Sequence, residues 1–194
     1  MSSIEKQKES TNSMKRVYIF FADGFEEIEA ITPVDILRRA GVDVTTVSIT
    51  NSLKVTGSHN IEITTDTTIN GVRDTKADML ILPGGLPGAE NLNSSRVLKE
   101  MIQNYSDEGR LIGAICAAPM VLGEMGLLAS RKVTCYPGFE KYLNGAEVST
   151  NAVETSSNII TGKGVGAAMR FSLELVTQLV DKKTADELAE KMVV

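Results

Sequence analysis

Short apolar runs alternate with amphipathic stretches along most of the chain. The apolar run at 15–21 predicts a buried first strand, and apolar positions at helical spacing over 28–39 predict a helix after it. Gly41 lies where a helix C-cap belongs, and the β-branched segment 42–49 predicts a second strand. A strand, a helix and a strand within about 35 residues form the βαβ unit of a parallel sheet.

The same alternation continues to the C-terminus. Segment 60–68 predicts an edge strand or hairpin, whereas 133–154 holds several turns and gives no clear pattern. Repeated βα alternation predicts an α/β fold, a doubly wound and mostly parallel sheet with helices on both faces. Further strands are predicted at 78–82, 111–115 and 158–161, and further helices at 95–105, 117–125, 167–180 and 184–192.

Length and composition describe an ordinary globular protein. The chain has 194 residues, of which 42% are apolar and 23% are charged, enough for one domain with a sizeable core. No apolar run approaches the roughly 20 residues that span a bilayer, so no membrane segment is expected. A net charge of -5 argues against nucleic acid as the main partner, because phosphate binding needs a basic face.

The N-terminal residues and the cysteines indicate the compartment. Residues 1–13 are polar and lack the apolar core of a secretory signal, so we expect a disordered tail before a single domain at 14–194. Without a signal, Cys116 and Cys135 are expected to be free thiols in the reducing cytoplasm.

Three predicted strands are followed by segments whose residues could form a functional site. The first strand leads into the acidic segment 23–29, the strand at 78–82 into Pro83-Gly84-Gly85, and the strand at 111–115 into Cys116. Functional groups gather beyond the carboxyl ends of the strands in doubly wound sheets. We therefore expect the three segments to meet at one rim.

Cys116 is the candidate nucleophile. A sharp turn between strand and helix holds such a side chain out of the sheet, as in a nucleophile elbow with cysteine in place of serine. The following helix directs N–H groups and its positive end toward the sulfur, which favours thiolate. A small buried apolar cysteine is the alternative interpretation. Backbone N–H groups of Gly85 and Ala117 would form an oxyanion hole, although the glycines also suit a plain turn.

Glu29 is the candidate partner carboxylate. Glu26, Glu27 and Glu29 lie near the start of the predicted helix, where the helix dipole favours negative charge, and this alone explains Glu26 and Glu27. Glu29 shares its helical face with apolar residues such as Phe25, so it is expected on an apolar stripe. Pro33 lacks an N–H group and is expected to interrupt or bend the helix.

Other ligands are scarce in the sequence. His59 is the single histidine and lies in a polar stretch, so it is expected to be solvent-exposed unless it reaches Cys116. No dinucleotide motif, phosphate-binding loop or metal-ligand spacing occurs, so neither a cofactor nor a metal is expected.

Four motifs together resemble the DJ-one branch of the ThiJ/PfpI superfamily. They occur in the family's order and spacing, within a likeness that runs from about Met14 to the C-terminus. The resemblance implies a flavodoxin-like fold, a homodimer, a reactive cysteine at Cys116 and a protonated partner carboxyl at Glu29. The motifs are FADGFEEIEA (21–30), TPVDILRRAG (32–41), LPGGLPGA (82–89) and AICAAP (114–119).

The chain also departs from the family pattern. Tyr136 stands where glyoxalase-type members often have histidine, and Ala117 stands where the protease-like branch has histidine, which weakens a peptidase interpretation. The usual Gly-Pro-Gly-Thr is Gly-Val-Gly-Ala at 164–167. Possible pocket residues are Gly84, Tyr136, Gly164 and Val165.

Two functions of different classes follow from the resemblance. The first is a cofactor-independent glyoxalase or deglycase-like enzyme that acts on methylglyoxal-type dicarbonyls or their adducts. Its Cys116 thiolate attacks the aldehyde, Gly85 and Ala117 hold the oxyanion, and Glu29 shuttles the proton. Slow turnover is expected because the family histidine is missing.

The alternative is a redox-sensing or protective, chaperone-like protein that signals by oxidation of Cys116 to sulfinate. Cys135 is then either a second redox thiol or an inert core residue. No residue supports a thiazole-biosynthesis role.

Overall fold

The structure, a computed structural model, describes residues 14–194. Its strands and helices follow the predicted order through most of the chain. The strands are β1 (Arg16–Phe21), β2 (Asp43–Ser48), β3 (Lys54–Thr56), β4 (Glu62–Thr64), β5 (Thr67–Thr68), β6 (Met79–Leu82), β7 (Leu111–Ile115), β8 (Lys132–Val133), β9 (Glu147–Val148), β10 (Val153–Ser156) and β11 (Ile159–Gly162). The helices are α1 (Glu27–Arg39), α2 (Ile69–Val72), α3 (Gly88–Ser94), α4 (Arg96–Asp107), α5 (Pro119–Glu124), α6 (Ala168–Leu179) and α7 (Lys182–Met192).

Seven strands form one central sheet in the order β10-β11-β7-β6-β1-β2-β5. All neighbours pair in parallel except β10, which runs antiparallel to β11 at one edge. The predicted α/β fold with a doubly wound, mostly parallel sheet is confirmed.

The hydrophobic core lies on both faces of this sheet because successive side chains of a strand point in opposite directions. Val17 and Ile19 of β1 pack in a cluster with α1, α6 and α7. Tyr18 and Phe20 pack in a second cluster with α3, α4 and α5. Helices therefore cover both faces, and the strand ends are left to carry the loops.

The sequence missed the shortest elements. Segment 60–68, predicted as an edge strand or hairpin, contains β4 and β5; β4 pairs with the unpredicted β3 as a hairpin outside the central sheet, and β8 and β9 form another two-stranded sheet. α3 was not predicted, nor was β10, which begins at the end of the segment that gave no pattern. Most of the missed elements have two to four residues and are partly exposed, so they lack the continuous apolar run that identified short buried strands such as β6.

Two sequence expectations concern the chain as a whole. The predicted disordered tail at 1–13 lies outside the described residues. Within 14–194, no helix combines the length and the apolar character that crossing a bilayer requires.

Candidate active site

The carboxyl ends of β1, β6 and β7 lie side by side, since these strands are neighbours in the parallel sheet. The loops after them meet at Gly84. Its N–H donates to Glu29 Oε2 at 3.1 Å, and its carbonyl oxygen accepts from the N–H of Glu26 at 3.0 Å. A Cβ atom on Gly84 would lie 2.6 Å from Cys116 Cβ and 2.5 Å from Glu29 Oε2. Only glycine leaves room for Cys116 and Glu29 to approach each other here.

Cys116 occupies the turn between β7 and α5 in a left-handed conformation with φ of 65°. This conformation is uncommon for a residue with a side chain and persists where its surroundings enforce it. The N–H of Cys116 donates to Gly162 O at 2.9 Å, and that of Ala118 donates to Ile115 O at 3.0 Å. The turn holds a side chain that is only 9% exposed at the strand end.

The surroundings of the sulfur raise the pKa of the Cys116 thiol to about 12, the opposite of the predicted thiolate. Burial is the main cause, followed by the negative charge of Glu29 and its hydrogen bond, while N–H groups of Gly85 and Ala117 lower the pKa. α5 has six residues and begins at Pro119, so its dipole does not outweigh burial. The part of this pKa shift that comes from repulsion between the thiolate and Glu29 requires an ionised Glu29, and it is absent when Glu29 carries a proton.

Glu29 is fully buried, as the apolar stripe predicted. Its Oε1 has no hydrogen-bond partner among residues 14–194. Burial raises the pKa of Glu29 from 4.5 to about 7, helped by the charge of Glu26 and opposed by hydrogen bonds with Cys116 and Gly84. Glu29 and Cys116 therefore titrate as a pair in which one negative charge excludes a second.

The first turn of α1 positions Glu29. Glu26 is the N-cap residue, and its Oε2 accepts from the N–H of Glu29 at 2.8 Å. Pro33 lies inside α1, which continues through to Arg39, so the helix is not interrupted there, and the predicted bend stays a prediction. Glu26 and Glu27 are each 8% exposed, so the helix dipole does not suffice to explain either residue.

His59 pairs with Glu27 rather than with Cys116. Its Nδ1 lies 2.7 Å from Glu27 Oε2, and its backbone N–H donates to Glu27 Oε1 at 2.7 Å. Within 14–194, Glu26, Glu27 and His59 are the one group whose possible metal-binding atoms lie within 4.8 Å of one another. Both oxygens of Glu27 accept hydrogen bonds from the segment of Ser58 and His59, and Glu26 Oε2 accepts from the N–H of Glu29, so we assign no metal to this group. Sequence reasoning missed this pair because 32 positions separate the partners.

A cavity of about 450 Å³ lies next to Tyr136 and Gly164, and neither Cys116 nor Glu29 is among the residues that line it. The N–H of Tyr136 donates to Cys116 O at 2.9 Å. A Cβ on Gly164 would lie 3.2 Å from the ring of Tyr136 and 4.0 Å from Glu29 Oε1. The lining residues are Tyr136, Pro137, Ala152, Lys163, Gly164, Val165, Gly166 and Ala167.

Three of the four predicted pocket residues, Tyr136, Gly164 and Val165, line this cavity, whereas Gly84 lies between the side chains of Cys116 and Glu29. Lys163 was not predicted and supplies the single charge of the lining.

Cys135 differs from Cys116 in its surroundings. It is 3% exposed and belongs to the second core cluster, with α4 and α5. Burial raises the pKa of its thiol to about 11, with a smaller contribution from the charge of Glu140. The contacts suit the core interpretation, and the redox interpretation stays a prediction.

Comparisons with known proteins agree with the predicted resemblance. The family model "DJ-1/PfpI family" matches residues 15–178. "Protein DJ-1 homolog B" of Arabidopsis thaliana is 40% identical over 185 residues, which cover 94% of this chain and 42% of that relative. The chain thus spans less than half the length of that relative.

Two further matches are similar over most of both chains. "Glutathione-independent glyoxalase DJR-1.2" of Caenorhabditis elegans is 35% identical over 170 residues, 86% of this chain and 89% of that relative. The crystal structure of Drosophila melanogaster DJ-1beta superposes with a TM-score of 0.90 at 33% identity, covering 93% of this chain and 98% of that chain. These findings confirm the DJ-one assignment, and the chain belongs to the DJ-1/PfpI family.

Proposed function

We propose that this protein is a cofactor-independent, cysteine-dependent glyoxalase or deglycase-like enzyme. Its substrates are methylglyoxal-type dicarbonyls or the adducts that they form with proteins. The observation that carries the proposal is the buried carboxyl of Glu29, which shares Gly84 as a neighbour with the Cys116 side chain. The Caenorhabditis elegans relative, named as a glyoxalase, supports the same reaction class.

The reaction begins with the Cys116 thiolate, the minor form of a thiol whose pKa is raised to about 12. The sulfur attacks the aldehyde carbon, and the carbonyl π electrons move onto oxygen to give a hemithioacetal alkoxide. N–H groups of Gly85 and Ala117, which already face the sulfur, stabilise that oxyanion until it takes up the proton of Glu29, which leaves Glu29 ionised. A protonated Glu29 favours this step because no second negative charge then repels the thiolate.

Glu29 then moves the proton between the two carbons. Its ionised carboxylate removes hydrogen from the former aldehyde carbon to form an enediol, and the acid returns the proton to the adjacent carbon. The product is a thioester on Cys116, which water hydrolyses to lactate and the free thiol. A carboxyl whose pKa is raised to about 7 both accepts and donates a proton near neutral pH.

The cavity supports adducts as well as free dicarbonyls. Its volume of about 450 Å³ exceeds what a three-carbon dicarbonyl fills. Tyr136, Val165 and the flanking glycines give it an apolar wall, and Lys163 adds one cation. We propose that the amino-acid part of an adduct occupies this space, next to Tyr136, whose N–H donates to Cys116 O.

The proposal is tested by lactate production from methylglyoxal with reduced wild-type protein and two cysteine variants. We expect Cys116→Ser to abolish turnover, whereas Cys135→Ser, the matched thiol in the other core cluster, keeps it. Wild-type protein that forms no lactate while Cys116 is shown to be reduced contradicts the proposal.

A redox-sensing or protective function is the second candidate. The N–H groups of Gly85 and Ala117 and a protonated Glu29 are the donors that a sulfinate at Cys116 needs. Mass spectrometry after mild peroxide is expected to find oxidation concentrated at Cys116. Oxidation spread evenly over Cys135 and the methionines would contradict a sensing role.

We also propose a homodimer, as the family resemblance implied. Ile28, Ile31, Ile61 and Met169 are at least 38% exposed and line a second cavity of about 450 Å³ beside α1. Exposed apolar surface of this kind is typical of protein interfaces. Sedimentation is expected to give a dimer for wild type and a monomer for Ile28→Glu, and a monomeric wild type would contradict the proposal.

A further inference from the structure

The hairpin of β3 and β4 packs against the segment that leads into α1. The N–H of Gly24 donates to Thr56 O at 2.8 Å, and the N–H of Thr56 donates to Asp23 Oδ1 at 2.9 Å. At the hairpin tip, the N–H of Ser58 donates to Phe25 O at 2.8 Å. The hairpin therefore holds the backbone just before the helix that carries Glu29.

The same hairpin tip surrounds the carboxylate of Glu27. The backbone N–H of His59 donates to Oε1 and its Nδ1 contacts Oε2, both at 2.7 Å, and Ser58 Oγ donates to Oε2 at 3.3 Å. A side chain at Gly57 would collide with this carboxylate. Glu27 is buried while the imidazole of His59 is 69% exposed, so a titratable group in contact with solvent partners a buried charge.

The charges around the imidazole are all carried by α1 and its cap. A hydrogen bond and the charge of Glu27, with a smaller contribution from Glu26, raise the pKa of His59. Burial tends to raise the pKa of Glu27, but the hydrogen bonds from His59 outweigh it and the net direction is down. The hairpin's own Lys54 and Glu62 pair with each other at 2.7 Å.

Glu29 lies two residues after Glu27 in the first turn of α1, and Glu26, the residue before Glu27, is bonded to both Gly84 and Glu29. Glu26, held by Gly84 O through its N–H, accepts from the N–H of Glu29 through Oε2. Gly84 in turn donates to the carboxyl of Glu29. The first turn of α1 is thus held by the hairpin on one side and by the loop after β6 on the other.

We infer that His59 is a positioning residue for Glu29. Its protonated imidazole binds the carboxylate of Glu27 and thereby holds the first turn of α1 against Gly84. The consequence for turnover rests on the proposed function, whereas the consequence for the order of this turn does not. The interaction between His59 and Glu27 is strongest when His59 is charged, and it weakens as the pH rises through the pKa of His59. The site would then lose order on its α1 side while the Cys116 turn stays intact.

Amide hydrogen exchange in the full chain tests the inference directly. Protection factors of the Glu26 and Glu29 N–H groups are compared at pH 6 and pH 8 in wild type, His59→Ala and His59→Asn. Asparagine keeps a neutral side-chain donor near the position of Nδ1. At pH 6 we expect His59→Ala to lower both protection factors roughly tenfold, the typical worth of a hydrogen bond to a charged group.

The pH profile separates positioning from simple packing. Wild-type protection at these two amides is expected to fall toward that of His59→Asn between pH 6 and 8, whereas His59→Asn changes less. Both proteins share the titration of Glu29, so the difference between their profiles isolates the imidazole. The N–H of Ile112, bonded to Asn158 O at 2.9 Å in the central sheet, is the control and is expected to stay unchanged.

Equal protection of the Glu26 and Glu29 amides in all three proteins overturns the inference, and so does equal pH dependence in wild type and His59→Asn. The outcome is independent of the proposed function, because a wild type that makes no lactate still yields these exchange rates. If lactate is formed, His59→Ala is expected to lower kcat more than it changes KM, with partial rescue by His59→Asn.

Discussion

Glu27 and Glu29 lie in the same helical turn, but the surroundings of their side chains shift the two pKa values in opposite directions. Both are buried, yet the pKa of Glu27 is lowered whereas that of Glu29 is raised to about 7. Glu27 faces the hairpin tip, where His59 supplies two donors and a positive charge. Glu29 faces Cys116 and Gly84, where one N–H donates and one carboxyl oxygen has no partner within 14–194.

The comparison shows that burial alone does not determine the protonation of a carboxyl group. Desolvation tends to raise the pKa of both carboxyl groups. The hydrogen bonds and charges of the neighbouring residues then determine whether the net shift is up or down. Glu27 stays ionised and supports structure, while Glu29 keeps a proton available near neutral pH. Glutamine at either position preserves the shape of the side chain and removes its charge.

The largest expected difference is in turnover. Glu29→Gln is expected to lower kcat for lactate formation from methylglyoxal by roughly 10²–10⁴-fold, the usual worth of a general acid–base group. Glu27→Gln, the matched control, is expected to stay within about tenfold of wild type because its side chain transfers no proton. Equal losses in the two variants would show that both residues act only by supporting the helix turn.

The pH dependence of stability should separate the two carboxyls next. The pKa of Glu29 is raised from 4.5 to about 7, so the unfolded chain ionises first and stability falls between these pH values. The loss is on the order of 3 kcal/mol once the pH exceeds 7. Urea unfolding of Glu29→Gln at pH 5 and pH 8 is therefore expected to show a gain over wild type at pH 8 that is much smaller at pH 5. An identical pH slope in the two proteins would contradict the raised pKa.

Glu27→Gln is expected to change stability in the opposite direction. It removes the charge from hydrogen bonds with His59, which costs about 1 kcal/mol in urea unfolding at pH 6. The lowered pKa of Glu27 stabilises the fold above the ordinary carboxyl pKa, and this contribution is lost as the pH falls through the lowered value. Unchanged stability of Glu27→Gln at pH 6 would mean that the hairpin tip is held by backbone contacts alone.

The smallest expected effect is on the titration of His59. The pKa of His59 is raised by Glu27, so its contribution to stability is present below the ordinary value and is lost as the pH rises through the raised value. NMR titration of the imidazole is expected to give a lower pKa in Glu27→Gln and little change in Glu29→Gln. A comparable decrease in both variants would show that the two environments are not separate.

Much of the fold was predictable because long elements repeat their buried positions. β1 is buried from Val17 to Phe21, and α4 buries Leu98, Met101, Ile102 and Tyr105 at helical spacing. The hairpin of β3 and β4 was harder, since each strand has three residues and packs against α1 rather than in the central sheet. His59 lies between these two strands, and its contact with Glu27 was missed for a different reason, since no local pattern reveals partners that are 32 positions apart.

The sequence by itself determined where the candidate site residues lie in the fold. A strand followed by a turn brings Cys116 to the carboxyl edge of a parallel sheet, and helical spacing puts Glu29 on an apolar face, both of which depend on neighbours within a few positions. Only the tertiary structure decided the protonation of these groups. The raised pKa values of Cys116 and Glu29 and the partner of Glu27 depend on burial and on charges brought close by folding, and both effects change steeply over a few ångströms.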